Sequence, residues 1–202
     1  MKVLIIIPAY NEEESIEKVI NNLKQNYSQY DYVIINDGSH DHTSEICHKN
    51  KYKIIDLPVN LGLTGAFQTG LKYAYKKGYD YAIQFDADGQ HLPEYIPAMV
   101  DKIEEGYDMV IGSRFVEKPK PRSLRMLGSR VISTAIKITT GVHIADPTSG
   151  MRLFNKTLIR EFAENINYEP EPDTVSFLIK QGVKVAEVQV EMKEREAGES
   201  YD

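Results

Sequence analysis

The sequence predicts an α/β protein with a mostly parallel central sheet and helices on both faces. Short apolar runs alternate with stretches of helical periodicity from Val3 to Gly112, the pattern of a parallel sheet whose crossover helices cover both faces. The first run, Val3-Leu4-Ile5-Ile6-Ile7, is apolar at every position, as a strand buried on both faces requires. Each run then ends in polar or glycine-bearing residues, and it is outside the carboxyl ends of the strands that open α/β sheets bind ligands.

Val3–Pro8 reads as the first strand, and Pro8 stops an apolar run too short for a signal-peptide core. Glu12–Asn26 is predicted helical, with Ile16, Val19, Ile20 and Leu23 on one face. Tyr32–Asn36 is the second strand. Ser39, Asp41 and Thr43 carry helix-start chemistry for a helix over Ser39–Asn50. Lys53–Leu57 is a short third strand, and Leu63–Lys77 a helix that Gly78 stops. Tyr81–Phe85, a helix over Pro93–Glu105, and Asp108–Gly112 complete the regular alternation. Past Arg114 the rhythm breaks into a basic, proline-bearing loop, Glu117–Arg122, and an amphipathic helix, Leu124–Thr140. A strand at Met151–Phe154, a helix near Asp173–Gln181 and a strand at Val183–Val190 follow.

At 202 residues the chain suits one domain with a substantial core. The single cysteine, Cys47, excludes an internal disulfide or a cysteine zinc cage and suits a reducing compartment. A net charge of −6 gives no general attraction to nucleic acid. No apolar stretch has the length of a membrane span.

The densest chemistry is Gln84-Phe85-Asp86-Ala87-Asp88-Gly89-Gln90-His91. Carboxylates one residue apart repel unless a cation sits between them, and oxygen donors suit Mg²⁺ or Mn²⁺, which in turn bind phosphates. The stretch therefore reads as a metal–diphosphate site, although Asp and Gly also favour a solvated turn. Strand one ends in Pro8-Ala9-Tyr10-Asn11-Glu12, where Tyr10 suits stacking on a base, Glu12 suits accepting from a sugar or base, and Asn11 suits a helix cap. Strand two ends in Asn36-Asp37-Gly38-Ser39, suited to a base N–H or to an Asx turn. Asn60–Gly65 lacks the Lys-Ser/Thr of a P-loop and the G-x-G-x-x-G pattern, and close backbone packing explains its glycines as well. Strand five ends in Gly112-Ser113-Arg114.

These motifs, with Asp146-Pro147-Thr148-Ser149-Gly150-Met151-Arg152, occur in an order that resembles the family-2 glycosyltransferases of the GT-A fold. The subgroup resembled is the dolichyl- or polyprenyl-phosphate sugar transferases, and the resemblance runs from Lys2 to about Tyr201. One departure is Asn36, where that family often has a second acid. The resemblance implies inverting, divalent-metal-dependent transfer of one sugar from a UDP- or GDP-linked donor to a polyprenyl phosphate at the cytoplasmic face of a membrane. It implies that Pro8, Tyr10, Glu12 and Asp37 hold the nucleoside, with Ala9, Gly65 and Ala87 also on the donor. Asp86, Asp88 and Gln90 would hold Mg²⁺ or Mn²⁺. Arg114, Arg125 and Ser129 would bind the lipid phosphate, and Arg195 would close over the donor phosphates. Residues 1–114 would form the donor half and 115–202 the acceptor half. Relatives often carry C-terminal membrane helices, so a membrane-protein partner or a membrane segment beyond Asp202 is also expected.

Charge supports the acceptor side independently of the resemblance. Arg114, Lys118, Lys120, Arg122, Arg125 and Arg130 face only Glu117 in that span, a bias that attracts phosphate or an anionic membrane surface. Leu127, Val131, Ile132, Ala135 and Ile136 form an apolar helix face suited to the core or to the bilayer interface.

A lipid phosphate is already ionised and needs no general base, whereas a saccharide hydroxyl would need one. Asp173 or Glu171, in Glu169-Pro170-Glu171-Pro172-Asp173, would then serve in cell-surface polysaccharide synthesis, and the same acids also suit a helix start. With no Trp, the chain lacks the Gln-x-x-Arg-Trp signature of processive synthases. A regulatory domain that binds nucleotide sugars without turnover is the non-enzyme alternative, and the intact Asp86, Asp88, Gln90 and Arg114 argue against it.

Overall fold

The computed structural model describes residues 1–121, 124–165 and 172–193, and for 124 and 125 the backbone only. Its centre is a seven-stranded sheet in the order β3-β2-β1-β4-β6-β5-β7. The strands are β1 (Val3–Ala9), β2 (Asp31–Asn36), β3 (Ile54–Asp56), β4 (Tyr81–Gln84), β5 (Met109–Ser113), β6 (Arg152–Asn155) and β7 (Val185–Gln189). The helices are α1 (Ile16–Asn26), α2 (Thr43–Lys49), α3 (Gly62–Lys77), α4 (Ile96–Glu104), α5 (Leu124–Thr140), α6 (Lys156–Glu164) and α7 (Pro172–Lys180). A 3₁₀ turn, Pro93–Tyr95, leads into α4.

The all-apolar β1 is buried at every position because both of its faces are covered. Val3, Ile5, Ile7 and Ala9 pack with Ile16, Val19, Ile20 and Leu23 of α1 and with Met99, Val100 and Ile103 of α4. Leu4 and Ile6 point the other way, into a cluster with Phe67 and Leu71 of α3 and with Ile159 and Phe162 of α6. The strand's period of two thus divides one apolar run between two cores.

Chain order makes the ligand edge. β1 pairs in parallel with β2 on one side and β4 on the other, so the connections leaving β1 and β4 diverge and open a crevice at the carboxyl edge. The mostly parallel sheet agrees with the expectation, with one addition: β6 runs antiparallel between β4 and β5. Two antiparallel pairings restore direction, so β5 points the same way as β4 and Arg114 emerges at the same edge as Asp86. The loop entering β6, residues 146–151, arrives there too.

Several bounds shift for local reasons. α1 starts at Ile16 rather than Glu12, because Asn11 has a φ of 54° and Glu12–Ser15 form a separate turn. α2 starts at Thr43, where Asp41 Oδ1 accepts from the Thr43 backbone N–H at 2.9 Å. α6 was not anticipated. Asn155 caps it by accepting from Leu158 N–H at 3.0 Å, and Leu158, Ile159 and Phe162 form its buried face.

Candidate active site

The loops after β1 and β2 are stitched together by polar bonds. The Asn11 N–H donates to Ser39 Oγ at 3.0 Å, and Asn11 Oδ1 accepts from His40 N–H at 2.9 Å. Glu12 is buried, its N–H donating to Thr43 Oγ1 at 2.8 Å and its carboxylate accepting from Ser15 Oγ at 2.6 Å. Pro8 and Ala9 are the last two residues of the buried β1, and Tyr10 meets His40 edge-on at 6.3 Å.

Asp37 is fully buried beside them. Its N–H donates to Ala9 O at 2.9 Å, and its Oδ1 accepts from Leu61 N–H at 2.7 Å. Oδ2 has no hydrogen-bond partner among the described residues. Burial pushes the carboxyl above its ordinary range, against the backbone N–H groups of Leu61 and Gly62 that favour its charge. A buried acceptor kept without a protein donor is costly, which is why such an atom points to a ligand donor. Gly38 holds this turn with a φ of 69°, and a Cβ there would sit 2.8 Å from the Asn60 nitrogen. Gly38→Ala is expected to cost ~1–3 kcal/mol and to weaken nucleotide binding by displacing Asp37. Urea denaturation and nucleotide titration check both, and a variant that binds and melts like the parent would refute it. Gly65 lies in the first turn of α3, where a Cβ would meet Leu61 Cβ at 2.4 Å; close packing accounts for it.

At the end of β4 the two acids take different environments. Asp88 is buried, and its Oδ1 accepts from Gln90 N–H at 2.9 Å, an Asx turn that passes through Gly89 with a φ of 79°. Asp86 is more open, its side chain 32% exposed, and its N–H donates to His91 Nδ1 at 2.9 Å. Nδ1 is thus the acceptor, which puts the ring proton of a neutral His91 on Nε2, 3.4 Å from Asp86 Oδ2. His91 is buried edge-on against Phe85 at 5.6 Å. Ala87, also buried, spaces the acids. Gln90 O accepts from Lys193 N–H at 3.0 Å, and His91 pairs with Met192 in an isolated bridge, so the C-terminal segment braces the turn.

Among the described residues no group of three or more His, Cys, Asp or Glu converges to hold a metal. Mg²⁺ or Mn²⁺ bound with phosphates and water needs only one or two carboxylates from the protein. Asp86, Asp88 and the Gln90 amide fit such a partial, all-oxygen donor set.

Arg114, which the resemblance assigns to the lipid phosphate, is clamped to Asp146. Its Nε donates to Asp146 Oδ2 at 2.7 Å, Nη2 to Asp146 Oδ1 at 2.9 Å, and its backbone N–H to Oδ2 at 3.1 Å. Burial alone would raise the Asp146 carboxyl, but the hydrogen bonds and charge of Arg114 hold it below its ordinary value. Glu187 of β7 accepts from the N–H groups of Ala145 and Asp146 and so fixes that loop. Arg114 Nη2 also reaches Thr148 Oγ1 at 3.4 Å.

The basic loop is also partly neutralised. Lys118 pairs with Glu191. Lys120 donates to Ser129 Oγ at 2.8 Å and to Ser133 Oγ at 3.0 Å, so it pins the loop onto α5, and burial lowers its ammonium below the ordinary lysine value. Ser129 is therefore buried and occupied by Lys120. Asp173 is exposed in the first turn of α7, its Oδ1 accepting from Thr174 N–H at 3.0 Å. Because α7 precedes the parallel β7, this end lies at the ligand edge, yet Asp173 borders a groove with Ile132 and Ile136 of α5. The Arg125 side chain, Glu171 and Arg195 lie outside the described residues.

Sequence reasoning gave no role to His91, Asp146 or Glu187. His91 and Asp146 stood inside quoted motifs, where a polar residue next to candidate ligands was the available signal. Glu187 sits in an ordinary strand and had none.

The fold is of the GT-A type. Residues 4–162 match the model of glycosyl transferase family 2, and the chain belongs to that family as a glycosyltransferase. It is 33% identical over 213 residues to the UDP-N-acetylglucosamine–dolichyl-phosphate N-acetylglucosaminyltransferase of Methanococcus voltae, covering 93% of this chain and 84% of that protein. It is 30% identical over 213 residues to the undecaprenyl-phosphate mannosyltransferase of Micrococcus luteus, covering 99% and 87%. The glucosyl-3-phosphoglycerate synthase of Mycobacterium tuberculosis, crystallised with Mn²⁺, UDP and phosphoglyceric acid, shares the fold with a TM-score of 0.73. Identity there is 20%, covering 98% of this chain and 72% of that one.

Proposed function

We propose that the chain transfers one sugar, with inversion, from a nucleotide-diphosphate sugar to a polyprenyl phosphate. The observation that carries the reading is the crevice itself: the buried Asp37 Oδ2, with no donor among the described residues, lies at the same sheet edge as the Asp86–Gln90 turn. Asp37 Oδ2 would take a base N–H, Tyr10 would stack on the base, and Glu12 would hold the shape of the loop. Asp86, Asp88 and Gln90 would hold Mg²⁺ or Mn²⁺, which when bound neutralises the diphosphate leaving group. Residues 1–114 would bind donor and 115–202 acceptor.

A lipid phosphate is the acceptor that needs no general base. Asp173 is exposed and caps its own helix, whereas a phosphate oxygen attacks without being deprotonated. The M. voltae and M. luteus relatives, matched over most of their length, are both named for lipid-phosphate acceptors. No helix among the described residues is long and apolar enough to cross a membrane. We place the enzyme at the cytoplasmic membrane face because both relatives are named for lipid-phosphate acceptors.

The test is a screen of UDP- and GDP-sugars with Mn²⁺ or Mg²⁺ and a short polyprenyl phosphate, read by mass spectrometry. One polyprenyl phosphosugar is the expected product. A glycosylated saccharide with no lipid product would overturn the acceptor assignment in favour of hydroxyl transfer.

A further inference from the structure

We infer that the outward face of α5 is a docking surface for an anionic lipid bilayer. The predicted apolar face of this helix splits in the structure. Ser133 and Ile136 are buried, and Ile132 packs against the core cluster. Leu127, Val131 and Ile138 point away from the protein, 55%, 63% and 79% exposed. At 3.6 residues per turn these three positions fall within an arc of about 40°, so they form one ridge along the helix. The neighbouring α7, which packs on α5, adds Phe177, 45% exposed. Large aliphatic side chains exposed in a row, and not singly, mark an interaction surface.

Charge selects the occupant. Arg130 and Lys137 are exposed along one flank of the ridge, and α5 contains no carboxylate over its whole length, Leu124–Thr140, in a chain of net charge −6. An apolar ridge flanked by cations, on an otherwise acidic protein, matches an anionic interface in which the aliphatic chains enter the headgroup boundary and the cations stay with the headgroups. A second copy of the chain would bring the same cations together with no acid on the helix to pair them. In the neighbouring basic loop Lys118 is paired with Glu191 and Lys120 is turned inward.

The inference deepens the proposed function by naming the surface that would bring the crevice to its lipid, but vesicle binding is read without any transfer. The experiment is co-sedimentation of the whole chain with phosphatidylcholine vesicles, with and without phosphatidylglycerol. The parent is expected to bind the anionic vesicles and to be released by salt. The triple variant Leu127→Ser/Val131→Ser/Ile138→Ser should lose at least ~10-fold in partition coefficient, as removal of three partly inserted aliphatic chains requires. Arg130→Gln/Lys137→Gln should bind less and lose most of its preference for phosphatidylglycerol. Circular dichroism and the melting temperature check that each variant is folded. Undiminished binding by the folded triple variant would overturn the inference. So would a parent that ignores vesicles but forms a dimer in sedimentation equilibrium that the triple variant breaks. If vesicles bind as expected and no lipid product forms in the donor screen, the acceptor reading fails and the docking surface stands.

Discussion

Replacement of Asp146 by alanine is expected to cost about 3–5 kcal/mol, the range for breaking a buried ion pair from one side. The carboxylate is fully buried, while the Arg114 side chain is 27% exposed. Both carboxylate oxygens accept from the guanidinium, and Oδ2 also accepts the Arg114 backbone N–H. Without Asp146 the Nε donor and that backbone N–H lose their partner, Nη2 keeps only a 3.4 Å contact with Thr148 Oγ1, and the end of β5 loses its main tie to the loop that enters β6. Transfer should fall with stability, because the same clamp aims the remaining face of Arg114. The pH dependence has a definite sign. The folded carboxyl titrates below its ordinary value of 3.8, so its contribution is complete above that value and is lost as pH falls through the folded one. The parent should therefore lose stability more steeply than Asp146→Ala on strong acidification. Asp37 acts oppositely: its raised carboxyl carries a cost above its folded value that is relieved as pH falls. Urea denaturation of parent and variant at neutral and acidic pH measures the difference. A variant within 1 kcal/mol of the parent (well under the range for a buried pair) would mean that Arg114 finds other partners and that the clamp does not organise the site.

What was readable in the sequence was what neighbouring residues decide. The uninterrupted apolarity of Val3–Ile7 could only be a strand covered on both sides, and its two-residue period already divided Ile5 from Ile6 between two cores. The strand-end rule places Glu12, Asp37 and Asp86 at one edge from the order of the motifs alone. What was not readable depends on residues distant in sequence. Arg114 meets Asp146 32 positions on, and Lys118 meets Glu191 73 positions on, so no local window shows that these cations are already spent. The same holds for β6, whose four residues look alike whether they run parallel or antiparallel; its direction comes from the connections on either side. The missed α6 is a different failure. Its Asn155 cap and its Leu158, Ile159 and Phe162 face are local signals at helical spacing. The exposed ridge of α5 lay between these cases. Its periodicity announced an apolar face, but which residues of that face turn inward depends on where α6, α7 and the sheet leave room.

Asp88→Asn is expected to abolish most transfer while leaving the fold unchanged. The Asp86–Gln90 stretch had two readings, a turn and a cation site, and the geometry accommodates both in one residue. Asp88 Oδ1 accepts from Gln90 N–H at 2.9 Å, a bond that the side-chain oxygen of asparagine can also accept. Asparagine therefore keeps the turn, with a stability change within about 0.5 kcal/mol, and removes only the charge. If the charge matters because it holds a divalent ion against a diphosphate, its loss should weaken Mn²⁺ binding in the presence of nucleotide and lower the transfer rate by about 10³-fold, several kcal/mol of charge stabilisation. Electron paramagnetic resonance of free Mn²⁺ reads the first effect without turnover, and initial rates read the second. Asp86 is supported from behind by His91, which takes its backbone N–H and stands 3.4 Å from its carboxylate, so the neighbouring acid cannot swing across to replace Asp88 without giving up that brace. If Asp88→Asn kept full Mn²⁺ affinity and normal turnover, Asp88 would be a turn residue alone, and the cation would have to be held by Asp86 and Gln90.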